Sequence, residues 1–263
     1  MVEPVARIRA YKPSEEDDKL VRFVLGKAHM GLLGEANSSA YFHPFTIAAW
    51  VAASCVFIQI MQWWPDYEQF GWLSYLKPLP AFASMAVPIM FLIDWSENNR
   101  PAFEKLTQET LRKADIFDLA AYYSRSPSSG LWILEHGQTF VGLIAVDASP
   151  DSTTDADLTQ DVPLDLKKKG TSDVATIRHF YVEEQFRRTD IQDDLLQHAL
   201  RRTFEGGEKV KKVRIAYCTL ARYLDKTLRK HGFRTVKQWS IRGMTTVQFT
   251  ESELERKAWQ KIA

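Results

Sequence analysis

Twenty consecutive uncharged residues, Phe45 to Trp64 (FTIAAWVAASCVFIQIMQWW), constrain this chain more than any other feature. At about 1.5 Å per residue, a helix of that length matches a hydrocarbon core of roughly 30 Å. Gln59 and Gln62 lie near one end, where polar groups cost less, and Trp63, Trp64 and Pro65 close the run as an interfacial aromatic belt does. A second run, Trp72 to Ile93, is broken by Lys77 and by Pro78, Pro80 and Pro88, and its uncharged part from Pro78 holds 16 residues. Prolines are tolerated in membrane helices, so this run reads as a short or kinked span with Lys77 reaching to the interface. The alternative is two buried helices of a soluble core, but a core helix without a charged face for five turns is uncommon. The expectation is a two-helix transmembrane hairpin over residues 44–94.

The flanks orient it. Arg7, Arg9, Lys12, Lys19, Arg22 and Lys27 precede the first run, and Arg100, Lys105, Arg112 and Lys113 follow the second. The connecting turn, Pro65 to Gly71, holds Asp66 and Glu68 and no basic residue. By the positive-inside rule both termini are cytosolic. The short second span favours a thin bilayer, so an internal membrane such as the endoplasmic reticulum is expected. The polar N-terminus has no apolar stretch before a cleavage site, so a removed signal peptide is not expected. A net charge of +1 gives no reason to expect nucleic acid. Cys55 and Cys218 lie far apart in unlike contexts and are expected as reduced thiols; no metal site is expected.

Past Asn98 the pattern becomes that of a mixed α/β (α+β) domain. Phe103, Leu106 and Leu111 suggest a helix over 102–114, and a second over 115–124. Strands are expected at 131–135 and 139–147, joined by a tight turn at His136–Gly137. Residues 149–173, rich in Asp, Ser and Thr with a Lys167–Lys169 run, read as a mobile loop. VATIRHFYV (174–182) alternates as a strand does. Apolar residues at 191, 195, 196, 199, 200 and 204 have helical spacing. A strand at 211–218, a helix at 220–230, a Gly232–Phe233 turn and strands at 234–240 and 243–249 follow. The tail ESELERKAWQKIA (251–263) reads as a polar helix.

Several motifs in this order carry a resemblance. ARIRAYKPSEEDDKLVRFVLGKA looks like the first strand and helix of the GNAT superfamily of acetyl-CoA-dependent N-acetyltransferases. TFVGLIAVDAS resembles that family's third strand, VATIRHFYVEEQFRRTDIQDDLLQHAL its fourth strand, pyrophosphate loop and third helix, and TLRKHGF the turn before its last strands. The resemblance implies a GNAT-like mixed central sheet flanked by helices. The first strand and helix would occupy 1–43, the inserted hairpin 44–94, the acetyltransferase-like domain 95–250 and a polar C-terminal helix 251–263. A hairpin placed between the first two helices is similar to the membrane-associated branch that includes the N-acetyltransferase 8 group.

In a working member the fourth strand splays from the fifth, the acyl chain of CoA lies in the gap, and backbone N–H groups at the next helix start hold the pyrophosphate. The resemblance therefore implies acetyl-CoA as cofactor and a binding set of Val182, Arg187, Arg188, Thr189, Asp190, Ile191 and Gln192. It implies a base among His179, Tyr181 and Glu183. Val182, Arg187, Ile191, Leu195 and Leu196 fit the family's framework, but its three glycine positions hold Arg188, Asp190 and Gln192. Glycine lets backbone approach phosphate with no Cβ in the way, and Asp190, Asp193 and Asp194 suit a helix dipole better than a phosphate. The tyrosine that the family often places four residues before the glycine of "GF" is Leu228 here. Tyr223, five residues earlier, is expected to pack elsewhere, and a lone strand histidine such as His179 is more often structural.

Two functions follow from the resemblance. One is a membrane-anchored N-acetyltransferase acting on an amine or protein substrate at the cytosolic face, with catalysis impaired by the missing groups. The other is a non-catalytic pseudo-acetyltransferase serving as a chaperone or packaging factor for a membrane-protein client. The second layout is similar to that of the phosphate-permease escort of the fungal endoplasmic reticulum.

Overall fold

The computed structural model describes residues 6–66, 68, 71–95, 100–153, 168–241 and 247–261. Residues 154–167 of the expected loop, 243–246 of the expected last strand, and 67, 69 and 70 of the turn lie outside these. The chain divides into two compact units, one of residues 1–31, 104–241 and 247–263 and the other chiefly of residues 32–103.

The first unit is built on a seven-stranded sheet: β1 (Ala6–Ala10), β2 (Gly130–His136), β3 (Thr139–Asp147), β4 (Val174–Val182), β5 (Lys212–Cys218), β6 (Arg234–Ile241) and β7 (Val247–Glu255). Their order is β1-β2-β3-β4-β5-β7-β6. β4 and β5 pair in parallel and every other neighbouring pair is antiparallel. The helices are α1 (Glu15–Tyr41), which continues into the second unit, then α2 (Pro44–Met61), α3 (Leu79–Trp95), α4 (Arg100–Leu111), α5 (Ala114–Phe117), α6 (Leu119–Tyr123), α7 (Ile191–Glu205), α8 (Arg222–Lys230) and α9 (Arg256–Trp259). One sheet face packs Leu131, Ile133, Leu143, Ala145 and Tyr181 against Val21, Val24 and Leu25 of α1 and Ile116, Leu119, Tyr122 and Tyr123 of α5 and α6. α7 turns buried Leu195, Leu196, Ala199 and Leu200 inward and sets His198 edge-on to Trp132 of β2, centroids 5.8 Å apart. This is the GNAT-like mixed sheet flanked by helices that the resemblance implies.

One expectation is corrected. The tail does not begin a helix at 251: β7 runs to Glu255 and only Arg256–Trp259 is helical. The residues ESELE look helical by propensity, but Thr250, Ser252 and Leu254 turn inward, while Glu251 and Glu253 pair with Arg214 at 3.2 Å and Lys212 at 2.9 Å. Cross-strand pairing has overridden local preference. The second hydrophobic run breaks before its uncharged part, where Lys77, Pro78 and Pro80 stand. A 3₁₀ turn covers Gly71–Leu76 and α3 begins only at Leu79, because Pro78 keeps Lys77 out of the α region and Pro80 suits a first turn.

In the second unit α2 and α3 pack together. The Trp50 indole donates to the Phe82 carbonyl at 2.9 Å and its ring meets the Phe82 ring edge-on at 5.6 Å. Ser54 and Ser84 donate to the carbonyls of Trp50 and Pro80, both at 2.7 Å. These bonds leave hydroxyls satisfied without water, as a lipid environment requires. Large apolar side chains face outward, among them Val56, Ile60, Val87 and Phe91. Pro44–Met61 and Gly71–Ile93 are each long and apolar enough to cross a membrane.

A charge network anchors the end of β3. Asp147, with no exposed side-chain surface, lies 3.1 Å from Arg178 and 3.9 Å from Arg125 and accepts from Tyr122 at 2.9 Å. Arg178 is the extra residue of a β-bulge, since Ala145 pairs with His179 and Val146 with Ile177. The Arg125 guanidinium, 1% exposed, also holds Asp151 at 3.1 Å and Ser149 at 2.9 Å. Asp147→Ala would leave two guanidiniums buried beside each other at a cost of about 3–5 kcal/mol. Denaturant unfolding of the detergent-solubilised chain measures this. Lys19→Ala, which removes an exposed pair with Glu15, is the control and should change stability by less than about 0.5 kcal/mol.

Candidate functional site

β4 and β5 pair only from Val174 and Lys212 to Ile177 and Ile215. β4 continues to Val182 and β5 to Cys218, so the strands part and open the gap in which the resemblance places a CoA chain. A 3₁₀ turn (Glu184–Phe186) leads from β4 to α7. Asp190, just before α7, has φ 56° and ψ 15°. That is the left-handed conformation which glycine adopts readily and aspartate tolerates.

The candidate bases gather on the α1 side of β4. His179 Nε2 lies 2.7 Å from Asp115 Oδ2, and Asp115 also accepts from the Tyr123 hydroxyl at 3.0 Å. Burial would push the Asp115 carboxyl up, but His179, Arg178 and Tyr123 outweigh it and hold the carboxyl below its ordinary range. His29 of α1 is nearby, pushed down to about 4 by burial and then by the charges of His179 and Lys113. Tyr181, 5% exposed, is pushed up to about 12 by burial and the Glu183 carboxylate. Lys27 donates to both Glu183 oxygens at 2.7 Å. Each candidate is thus already engaged by a neighbour, and His179 has the structural setting expected of a lone strand histidine.

The binding set closes in on itself. Buried Val182 ends β4, and its carbonyl accepts from Arg187 Nε at 2.9 Å. The Arg187 guanidinium lies 4.3 Å above the Tyr223 ring and so points inward. Tyr223 packs beneath that guanidinium, and burial pushes its hydroxyl up to about 12 despite Arg187 and the nearby Val182 backbone. Leu228, 1% exposed, stands where the family often has its tyrosine. Arg188 is exposed, Thr189 donates to the Phe186 carbonyl at 2.7 Å, and Ile191 opens α7. Gln192 is 2% exposed, its Nε2 donating to the Arg187 carbonyl at 3.1 Å, and its Oε1 is buried without a partner among the described residues. Asp190 faces Lys226 at 3.7 Å, and Asp193 pairs with Lys230 and has His231 at 3.7 Å.

These residues do not fit acetyl-CoA. The Gln192 side chain bonds back into the loop where a glycine would leave room, acidic residues line the helix start, and the Val182 carbonyl at the end of β4 is taken by Arg187. The pairings of Asp115 with His179 and of Lys27 with Glu183 escaped the sequence because the partners lie 64 and 156 residues apart along the chain. A signal existed for Tyr223, Lys226 and Lys230: their spacing puts them on one helix face.

No protein-family model matches the chain, and no curated protein matches it. Among solved structures it is similar to a GNAT-family acetyltransferase from Streptococcus pneumoniae, with 9% identity, 51% of this chain and 70% of that one covered, and TM-score 0.39. It is also similar to a GNAT-family acetyltransferase from Desulfovibrio desulfuricans, with 10% identity, 95% and 99% covered, and TM-score 0.43. An IAA acetyltransferase from Bacillus cereus gives 15% identity, 52% and 83% covered, and TM-score 0.34. The fold itself is read from the strand order and the parting of β4 from β5.

The His29 environment yields a pH dependence. The unfolded chain takes up this proton near 6.5 and the folded chain only near 4, so the contribution is present above 6.5 and lost as pH falls toward 4. His29→Gln should therefore lose less thermal stability than the parent between neutral pH and about pH 4.5. Equal losses, measured on the detergent-solubilised chain, would contradict this.

Proposed function

We propose that this chain is a membrane-anchored pseudo-acetyltransferase, a GNAT-fold protein without acyl transfer that serves a membrane-protein client at the cytosolic face. The observation that carries this reading is the Arg187 side chain, which bonds the Val182 carbonyl at 2.9 Å and lies on Tyr223 across the gap that a CoA chain would need. The alternative, an acetyl-CoA-dependent N-acetyltransferase of the membrane-associated branch, is favoured by the parting of β4 and β5 after Ile177 and Ile215. Titration calorimetry of the detergent-solubilised chain with acetyl-CoA separates the two. No saturable heat at millimolar ligand is expected; saturable micromolar binding would restore the enzyme reading.

The anchor is the pair α2 and α3, 18 and 17 residues long. At about 27 Å, α2 matches the thin bilayer of the endoplasmic reticulum, about 27 Å. The basic flanks and acidic turn support cytosolic termini. A glycosylation acceptor inserted at 66–69, on a spacer long enough to clear the bilayer, should be modified in microsomes. An unmodified turn open to cytosolic protease would contradict the topology.

A further inference from the structure

Three contacts cross from the β4–α7 segment to α8, and they fall in register. Arg187 lies over Tyr223 at 4.3 Å, Asp190 faces Lys226 at 3.7 Å, and Asp193 pairs with Lys230. The first members are spaced i, i+3, i+6 and the second i, i+3, i+7, so the α8 partners share one face of a single helix.

The three contacts differ in weight. Asp190 and Lys226 keep 55% and 75% of their side chains exposed, and such pairs contribute little. The Asp193 side chain is only 12% exposed. Its Oδ1 lies 3.7 Å from His231 Nε2, and neither atom has a hydrogen-bond partner among the described residues. Lys230 therefore supplies the counter-charge of a largely desolvated carboxylate, and removing it would leave that carboxylate costly to keep folded in place. Arg187 is spent on both the Val182 carbonyl and the Tyr223 ring.

We infer that this ladder is an internal lock: Arg187–Tyr223, Asp190–Lys226 and Asp193–Lys230 hold the start of α7 against α8 and keep the gap beyond β4 shut. The inference rests on the non-catalytic reading above and names the device that maintains it. Asp193–Lys230 is its strongest ionic rung. The acidic residues at the start of α7, awkward for a phosphate site, have a role here: they face the basic side of α8.

Hydrogen exchange with mass spectrometry on the full detergent-solubilised chain tests the lock. Asp193→Lys and Lys230→Asp should each speed exchange by about tenfold in peptides spanning 183–196 and 220–231 while β2 and β3 are unchanged. The double swap, Asp193→Lys with Lys230→Asp, should return exchange to near the parent rate. Unchanged exchange in the single variants, or a swap no better than either, would overturn the lock. If a reversal accelerates exchange throughout the unit, the milder Lys230→Gln decides: local acceleration supports the lock, and none overturns it. Acetyl-CoA binding by the parent chain would instead defeat the non-catalytic reading, an outcome seen separately from these exchange rates.

Discussion

Where β4 leaves β5, the last residues of β4 lose the neighbour that would have paired their backbone groups. A folded chain has to provide other partners for such groups, because a buried, unpaired carbonyl or N–H costs as much as a lost hydrogen bond. In an acyltransferase of this shape a ligand chain can fill that place. Here the protein fills it: Arg187 bonds the Val182 carbonyl and its guanidinium lies over the Tyr223 ring. Gln192 plugging the loop and Asp193 turned toward Lys230 are consistent with that one substitution of side chain for ligand.

The opposite face of β4 has been put to structural use as well. His179, Asp115 and Tyr123 form a buried hydrogen-bonded chain beside the packing of α1 on the sheet. Glu183 is held by Lys27 of α1. A buried titratable group that gives up its partner leaves a desolvated polar group behind, so these contacts also tie α1, α5 and α6 to the sheet.

Much of the architecture was legible because burial on one or both faces writes itself into residue periodicity. β3 and β4 fall where 139–147 and 174–182 were expected as strands, buried along nearly their whole length, and α7 follows the apolar spacing from Ile191. The continuation of β7 past the expected 243–249 was hidden because Glu251, Glu253 and Glu255 mask its alternation, and the basic partners of Glu251 and Glu253 come from another part of the chain. The same limit applied to the site. The missing glycines were plain, yet nothing local indicated that Arg187 would turn inward onto Tyr223. Asp190 takes the left-handed conformation that glycine adopts readily, while adding a carboxylate to the loop.

The central claim is that the gap beyond β4 is occupied by the chain's own side chains. An experimental structure of the protein equilibrated with saturating coenzyme A tests it most directly. The account predicts Arg187 bonded to the Val182 carbonyl and stacked on Tyr223, with no ligand between β4 and β5. A pantetheine chain lying along Val182 with Arg187 displaced would contradict it.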